Sequence, residues 1–124
     1  QTRRVCENVR VHLSAELEAL VQRVIADPQP GDDLALAVRS TLDEFARLHP
    51  GRSVELRVPP YRAVQILGGT THKRGTPPAV VEMSAITWLR LLSQELTWPD
   101  AIAQGHIHAS GVGSDLTELF IEGN

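Results

Sequence analysis

A change in the spacing of apolar residues near position 50 most constrains the fold of this chain. Before it, apolar residues recur at three- and four-residue intervals over 11–26 and again over 34–48, which predicts two amphipathic helices. After it, apolar and charged residues alternate over 54–58, the period of a half-buried strand, and the alternation returns over 62–67. Two helices followed by a strand pair, with Pro59-Pro60 at the turn, predict an α+β domain.

The C-terminal half continues this pattern. A third strand is expected over 79–83, and Ser84 is a candidate N-cap for the helix after it. Thr97 and Asp100 resemble a capping box for a short helix over 98–104. The series ends with a strand, in which Ile107 and Ala109 face inward, and a closing helix capped by Ser114 or Asp115. In the N-terminal half, Asp32 or Asp33 is the candidate N-cap of the second helix.

This order predicts a mostly antiparallel sheet of about four to five strands covered by helices. Its length of 124 residues fits a single domain over 1–124, with 1–30 as an N-terminal helical extension. Because the connection from the third to the fourth strand is long and helical, we expect these two strands to be non-adjacent or parallel.

Composition excludes several classes of function. The formal net charge is -3 and the basic residues are scattered, so neither nucleic acid nor an anionic membrane is a favoured partner. The sequence contains no apolar run long enough to span a bilayer, and a lone Cys6 cannot form an internal disulfide. These features predict a cytoplasmic protein without stable membrane insertion.

The stretch from Ala79 to Phe120 resembles the C-terminal half of the sterol carrier protein domain. The matching features are the strand ending at Met83-Ser84, the apolar helix around Trp88, and the Gly, Ile and Ser-Gly positions of the last strand and turn. SVELRVPPYRAVQ and HKRGTPPAVVE resemble the bacterial, high-GC branch of the family, and the resemblance covers 33–121. At the end of the central helix this chain has Gln94-Glu95 where the family often has Gly-Lys, so that helix must be capped without glycine.

The resemblance implies an apolar tunnel between sheet and helices that holds acyl chains or sterols. The inward-facing apolar residues are candidate ligand contacts, and they equally suit a filled core. These residues are Leu56, Val58, Val64, Ile66, Val81, Met83, Trp88, Leu92, Ile102, Leu119 and Phe120.

Other candidate sites have simpler explanations. His106 and His108 share one face of a strand, as two metal ligands would, but no Cys or carboxylate cluster has ligand spacing beside them, so a solvated strand face is favoured. The loop residues His72-Lys73-Arg74 offer donors for an acidic head group, although any exposed connection has this composition. We predict no metal, no cofactor and no catalytic residue.

The sequence thus predicts a non-catalytic carrier of a hydrophobic ligand such as a fatty acyl chain or sterol. The alternative is an accessory or interaction domain of an enzyme system, because the resemblance extends to domains fused to maleylpyruvate isomerase-like and acetyltransferase modules. A third possibility is that the apolar stripe of 11–26 packs on a second copy or on a partner enzyme.

Overall fold

The fold is an α+β arrangement of four helices on a four-stranded sheet. The computed structural model describes residues 13–68 and 79–120. The chain begins with two helices, continues through a strand pair and a third strand, and returns through two short helices to a fourth strand. The elements are α1 (Ala15–Ala26), α2 (Asp32–Leu48), β1 (Val54–Val58), β2 (Arg62–Ile66), β3 (Ala79–Met83), α3 (Ala85–Leu92), α4 (Trp98–Ala103), β4 (Ile107–Ser110) and a C-terminal 3₁₀ turn (Thr117–Phe120).

The strand order in the sheet is β2-β1-β3-β4. β1 and β2 form the predicted antiparallel hairpin, whereas β1 and β3 are parallel. The expectation for the third and fourth strands was wrong, because β3 and β4 are adjacent and antiparallel, with Met83 opposite Ile107 and Val80 opposite Ser110. The physical reason is that two short helices divide the connection, so the chain re-enters the sheet at the end from which it left.

One face of the sheet carries the core. Val54, Leu56 and Val58 on β1 are at most 2 % exposed, and Ala79, Val81 and Met83 on β3 are at most 3 % exposed. The alternate residues, such as Arg57 and His108, are exposed on the other face. This matches the predicted period of two on β1 and β3, and it places the helices on the face that carries the buried side chains. On β4 only Ile107 is buried, and Ala109, predicted to face inward, is exposed.

α1 is part of this core. Ser14 caps it by accepting a hydrogen bond from the backbone N–H of Leu17 at 3.1 Å. Leu20, Val21 and Val24 are buried, and the helix packs on α2 and α3. Three residues of the apolar stripe that suggested a surface for a second copy or partner, Leu20, Val21 and Val24, are therefore covered within the same chain.

Two helix ends differ from the sequence prediction. The N-cap of α2 is Gly31, not Asp32 or Asp33; the two carboxylates lie in the first turn, where they complement the helix dipole. The closing helix is a single 3₁₀ turn preceded by Asp115, whose carboxylate accepts the backbone N–H of Thr117 at 3.0 Å. Within 13–68 and 79–120, no helix is both long enough and apolar enough to cross a bilayer.

Candidate ligand-binding site

All four Phe and Trp side chains of the sequence meet in one cluster. The ring of Phe120 is nearly parallel to two other rings: Phe45, with centroids 5.6 Å apart and planes at 17°, and Trp98, with centroids 5.7 Å apart and planes at 15°. Trp88 stands edge-on to Phe120, 6.0 Å away at 89°. Both stacked and edge-on arrangements are favourable for aromatic pairs, so these contacts stabilise the cluster. We call these four rings the aromatic box.

Local structure fixes three walls of this box. Phe45 lies on the buried face of α2, and Trp88 lies on the buried face of α3, which begins at the predicted cap Ser84. Trp98 opens α4, where Thr97 accepts the backbone N–H of Asp100 at 3.2 Å, also as predicted. Phe45 and Trp88 are fully buried and Trp98 is 4 % exposed.

A buried hydrogen bond orients the Trp88 ring. Its indole Nε1–H donates to the hydroxyl of Thr41 at 2.8 Å, and that hydroxyl lies 2.7 Å from the carbonyl oxygen of Ala37, to which it donates. Thr41 is itself fully buried. Because burying an indole N–H without an acceptor is costly, Thr41 holds this wall in one orientation.

Two cavities open beside the aromatic box and share Trp98, Pro99 and Thr117. The first, of about 310 Å³, lies between the end of α3, the start of α4 and the C-terminal turn, and Phe120 forms part of its wall. The second, of about 440 Å³, lies between α4, β4 and the segment before the turn. The further residues of the first cavity are Leu91, Gln94, Leu96 and Thr97, and those of the second are Ile102, Ala109, Ser114 and Asp115.

The polar residue Gln94, just after α3, lies among the largely apolar residues of the first cavity. Gln94 has φ +64°, the left-handed conformation that usually requires glycine. The N–H of Glu95 bonds the carbonyl of Arg90 at 3.0 Å and the N–H of Gln94 bonds that of Leu91 at 3.3 Å, which together form a Schellman cap. The helix is thus capped without glycine, as the sequence required, and Gln94 is one of the residues that line the first cavity.

The rim of the second cavity is acidic. Hydrogen bonds from the hydroxyl of Thr117 at 2.5 Å and from its backbone N–H at 3.0 Å lower the pKa of Asp115 below its ordinary value. Asp115 is therefore a carboxylate at neutral pH. A ligand in this cavity meets an apolar wall of α4 and one negative group at the edge.

The predicted ligand contacts fall into three groups. Seven are at most 3 % exposed and belong to the core. These are Leu56, Val58, Ile66, Val81, Met83, Trp88 and Leu92. Val64, Leu119 and Phe120 are partly buried and pack against that core. Ile102 does not face inward as predicted; it is 43 % exposed, because the short α4 turns this position toward solvent in the second cavity.

Sequence reasoning missed much of the surface around Phe120. The sequence pattern places Phe45 within the helical stripe of 34–48 and Trp98 at the start of the helix over 98–104, and it gives neither a role in a site. Gln94 stands out only as a helix end without glycine, and Pro99 and Thr117 do not stand out as cavity residues. The available signal was compositional: a chain with two Phe and two Trp residues has few large aromatics, and two of the four lie in the 23 positions 98–120. Nothing in the spacing indicated that Phe45, far away in the sequence, would join them.

The histidine pair lies outside this region. His106 and His108 are both exposed. Over residues 13–68 and 79–120, no group of three His, Cys, Asp or Glu side chains is arranged to hold a metal ion. His72-Lys73-Arg74 and Cys6 lie outside the described residues.

Comparison with known proteins identifies the family. A family model described as the bacterial SCP ortholog matches residues 30–120, which is well over half of the chain and includes every element from α2 to the C-terminal turn. α1 lies outside the matched range. No curated protein sequence matches the chain. The four-stranded α+β fold and this match agree, and the chain belongs to the bacterial sterol carrier protein-like family.

Proposed function

We propose that this protein binds a hydrophobic small molecule non-covalently, as a carrier and without chemistry. Fatty acyl chains, sterols and similar lipids are the candidate ligands. The observation that carries the proposal is the pair of cavities meeting at Trp98 and Pro99, with the aromatic box on one side. Membership of a sterol carrier protein-like family supports it.

The cavities have a suitable size and lining. Small-molecule sites usually have volumes of about 300–1,000 Å³, mostly apolar walls and a few polar groups. The cavities of about 310 and 440 Å³ fall in this range, with Leu91, Leu96 and Ile102 among the apolar contacts. Burying a chain of about a dozen methylenes contributes several kcal/mol, at about 0.8 kcal/mol for each CH₂.

The packing of the core bears on where a ligand would lie. Leu56, Val58 and Val81 are fully buried among other side chains, so a ligand between them would have to separate packed groups. The partly buried residues Leu119 and Phe120 pack against that core, and Phe120 forms part of the wall of the first cavity. We therefore propose that a ligand lies in the two cavities beside the C-terminal turn, and that the buried core residues lie beneath it.

Displacement of a fluorescent fatty acid by palmitate tests the proposal, with native mass spectrometry of the purified protein as a second readout. Ile102→Asp adds a charge to the second cavity at a position that is 43 % exposed, so we expect weaker binding with little change in stability. Leu36→Asp is the matched control, because Leu36 is an apolar helix residue, 55 % exposed, that lines a different cavity between α1 and α2. Absence of palmitate binding to the wild type would refute the proposal, and equal losses in both variants would refute the location.

The absence of catalysis and the cytoplasmic location are predicted from the sequence together with the family, and a homodimer or partner enzyme stays a prediction. No observation on the described residues favours the accessory-domain alternative.

A further inference from the structure

We infer that the preferred ligand is a cationic amphiphile, an alkyl chain with a protonated amine, whose ammonium group lies beside Asp115 in the second cavity. The inference rests on the proposed function and narrows its ligand from hydrophobic molecules in general to those with a positive head group. Asp115 is then the residue that selects among ligands by charge.

The second cavity is lined by apolar side chains from one part of the chain and by polar ones from another. α4 and Ala109 supply the apolar side chains, among them Trp98 and Ile102. Segment 114–117 supplies two hydroxyl groups and the Asp115 carboxylate. This division fits an amphiphile, because an alkyl chain is removed from water along α4 while a charged head group keeps polar partners.

The charge around the two cavities is negative. Among the described residues that line them, Asp115 alone is ionisable. The surrounding sequence is acidic as well: all twelve Lys and Arg residues lie at positions 3–90, whereas 91–120 carries four carboxylates. A carboxylate or phosphate head group in the second cavity would therefore lie near a like charge, and an ammonium group would lie near an opposite one.

The basic groups of the neighbouring elements do not offset this charge. Arg90, the last arginine of the sequence, is exposed on α3 and is not among the residues that line the first cavity. His106 and His108, next to and within β4, are exposed and line neither of the two cavities. Within the described residues, no basic side chain is thus placed to bind an anionic head group in these cavities.

Hydrogen bonds hold the Asp115 carboxylate in one position. Its Oδ1 accepts the backbone N–H of Thr117 at 3.0 Å and the hydroxyl of Thr117 at 2.5 Å. Within 13–68 and 79–120, its Oδ2 has no hydrogen-bond donor, so this oxygen is available to a ligand. An ammonium group has three donors and suits this oxygen together with the Ser114 hydroxyl, which lines the same cavity.

Calorimetric titration with two probes of equal chain length, dodecylammonium and dodecanoate, tests the inference at neutral pH, below the concentration at which either forms micelles. Both probes bury the same alkyl chain and differ in the sign of the head-group charge. We expect both to bind the wild type, and dodecylammonium to bind about tenfold more tightly, because repulsion by an exposed carboxylate becomes attraction. High salt should reduce this preference to about twofold by screening the charges.

Two variants assign the preference to one carboxylate. Asp115→Asn removes the charge and keeps an oxygen that can accept the Thr117 bonds, so the preference should fall below about threefold, mainly through weaker binding of dodecylammonium. Glu118→Gln is the matched control, because Glu118 is an exposed acid of the C-terminal turn that lines neither of the two cavities. It should leave the preference within about twofold of the wild-type value.

The comparison of the two probes on the wild type, at low and at high salt, keeps the test independent of how well the variants fold. Equal affinities, tighter binding of dodecanoate, or a preference that persists at high salt or in Asp115→Asn would overturn the inference and leave the proposed function standing. If neither probe binds, both are overturned.

Discussion

Replacing Thr41 with valine tests how the aromatic box is held in place. Thr41 is 0 % exposed, and its hydroxyl accepts the indole N–H of Trp88 at 2.8 Å. Valine has nearly the same shape, so Thr41→Val leaves no cavity, and the carbonyl of Ala37 keeps its ordinary bond within α2. The whole effect is then the loss of the acceptor for a buried N–H, which costs about 1–3 kcal/mol.

Urea unfolding measures this cost, and a double-mutant cycle isolates it. Trp88→Phe removes the donor, so in that background Thr41→Val should cost close to nothing. Thr41→Ser keeps the hydroxyl and loses one methyl, about 1 kcal/mol, and its cost should be the same with either residue at 88. The reasoning is refuted if Thr41→Val lowers the free energy of unfolding by less than about 0.5 kcal/mol, or if the costs of Thr41→Val and Trp88→Phe simply add.

Three further predictions concern the backbone and pH. Gln94→Gly should raise the free energy of unfolding by about 0.5–1 kcal/mol in urea titrations, because its φ of +64° suits glycine, and a loss would show that the side chain outweighs the strain. Gly51→Ala should lower the free energy of unfolding by more than about 2 kcal/mol, because an added Cβ would lie 1.8 Å from the backbone carbonyl oxygen of Leu67. Gly31→Ala is the control, since Gly31 also has a positive φ but nothing lies within 4 Å of an added Cβ. Equal costs for the two variants would contradict the steric argument. Because the pKa of Asp115 in the folded protein is below its ordinary value of 3.8, the ionised carboxylate stabilises the fold above pH 3.8, and this stabilisation is lost as the pH falls through the folded-state pKa. Asp115→Asn should therefore weaken the fall in stability between about pH 5 and pH 2, and an unchanged pH profile would refute this.

Periodicity was sufficient for most of the secondary structure. The strand bounds at 54–58 and 79–83 match the structure because one face of each strand is buried, which leaves a clear alternation in the sequence. The caps Ser84 and Thr97 were predictable because each bonds the backbone N–H three residues on. Strand alternation and N-caps depend on residues that are close together in the sequence, so the sequence alone predicts them.

Strand pairing and the candidate site were less predictable because they depend on distant contacts. The parallel pairing of β1 with β3, and the antiparallel pairing of β3 with β4, follow from how 84–106 folds in space and not from any residue in the strands. Similarly, the aromatic box requires Phe45 to meet Phe120, which lies 75 positions later in the sequence. Ile102 is exposed and not inward-facing as predicted, because a helix of six residues is too short for its apolar spacing to define the buried side.

The most direct measurement of the central claim uses the two tryptophans as reporters. The sequence has only two, so a ¹H–¹⁵N correlation spectrum has two indole N–H signals, one from the cavity wall at Trp98 and one from the buried Trp88. Titration with palmitate should shift the Trp98 signal progressively to saturation, with a smaller change at Trp88, whose N–H stays bonded to Thr41. If palmitate leaves both indole signals unchanged at concentrations that saturate any binding seen by mass spectrometry, the ligand does not occupy this site and the account is wrong.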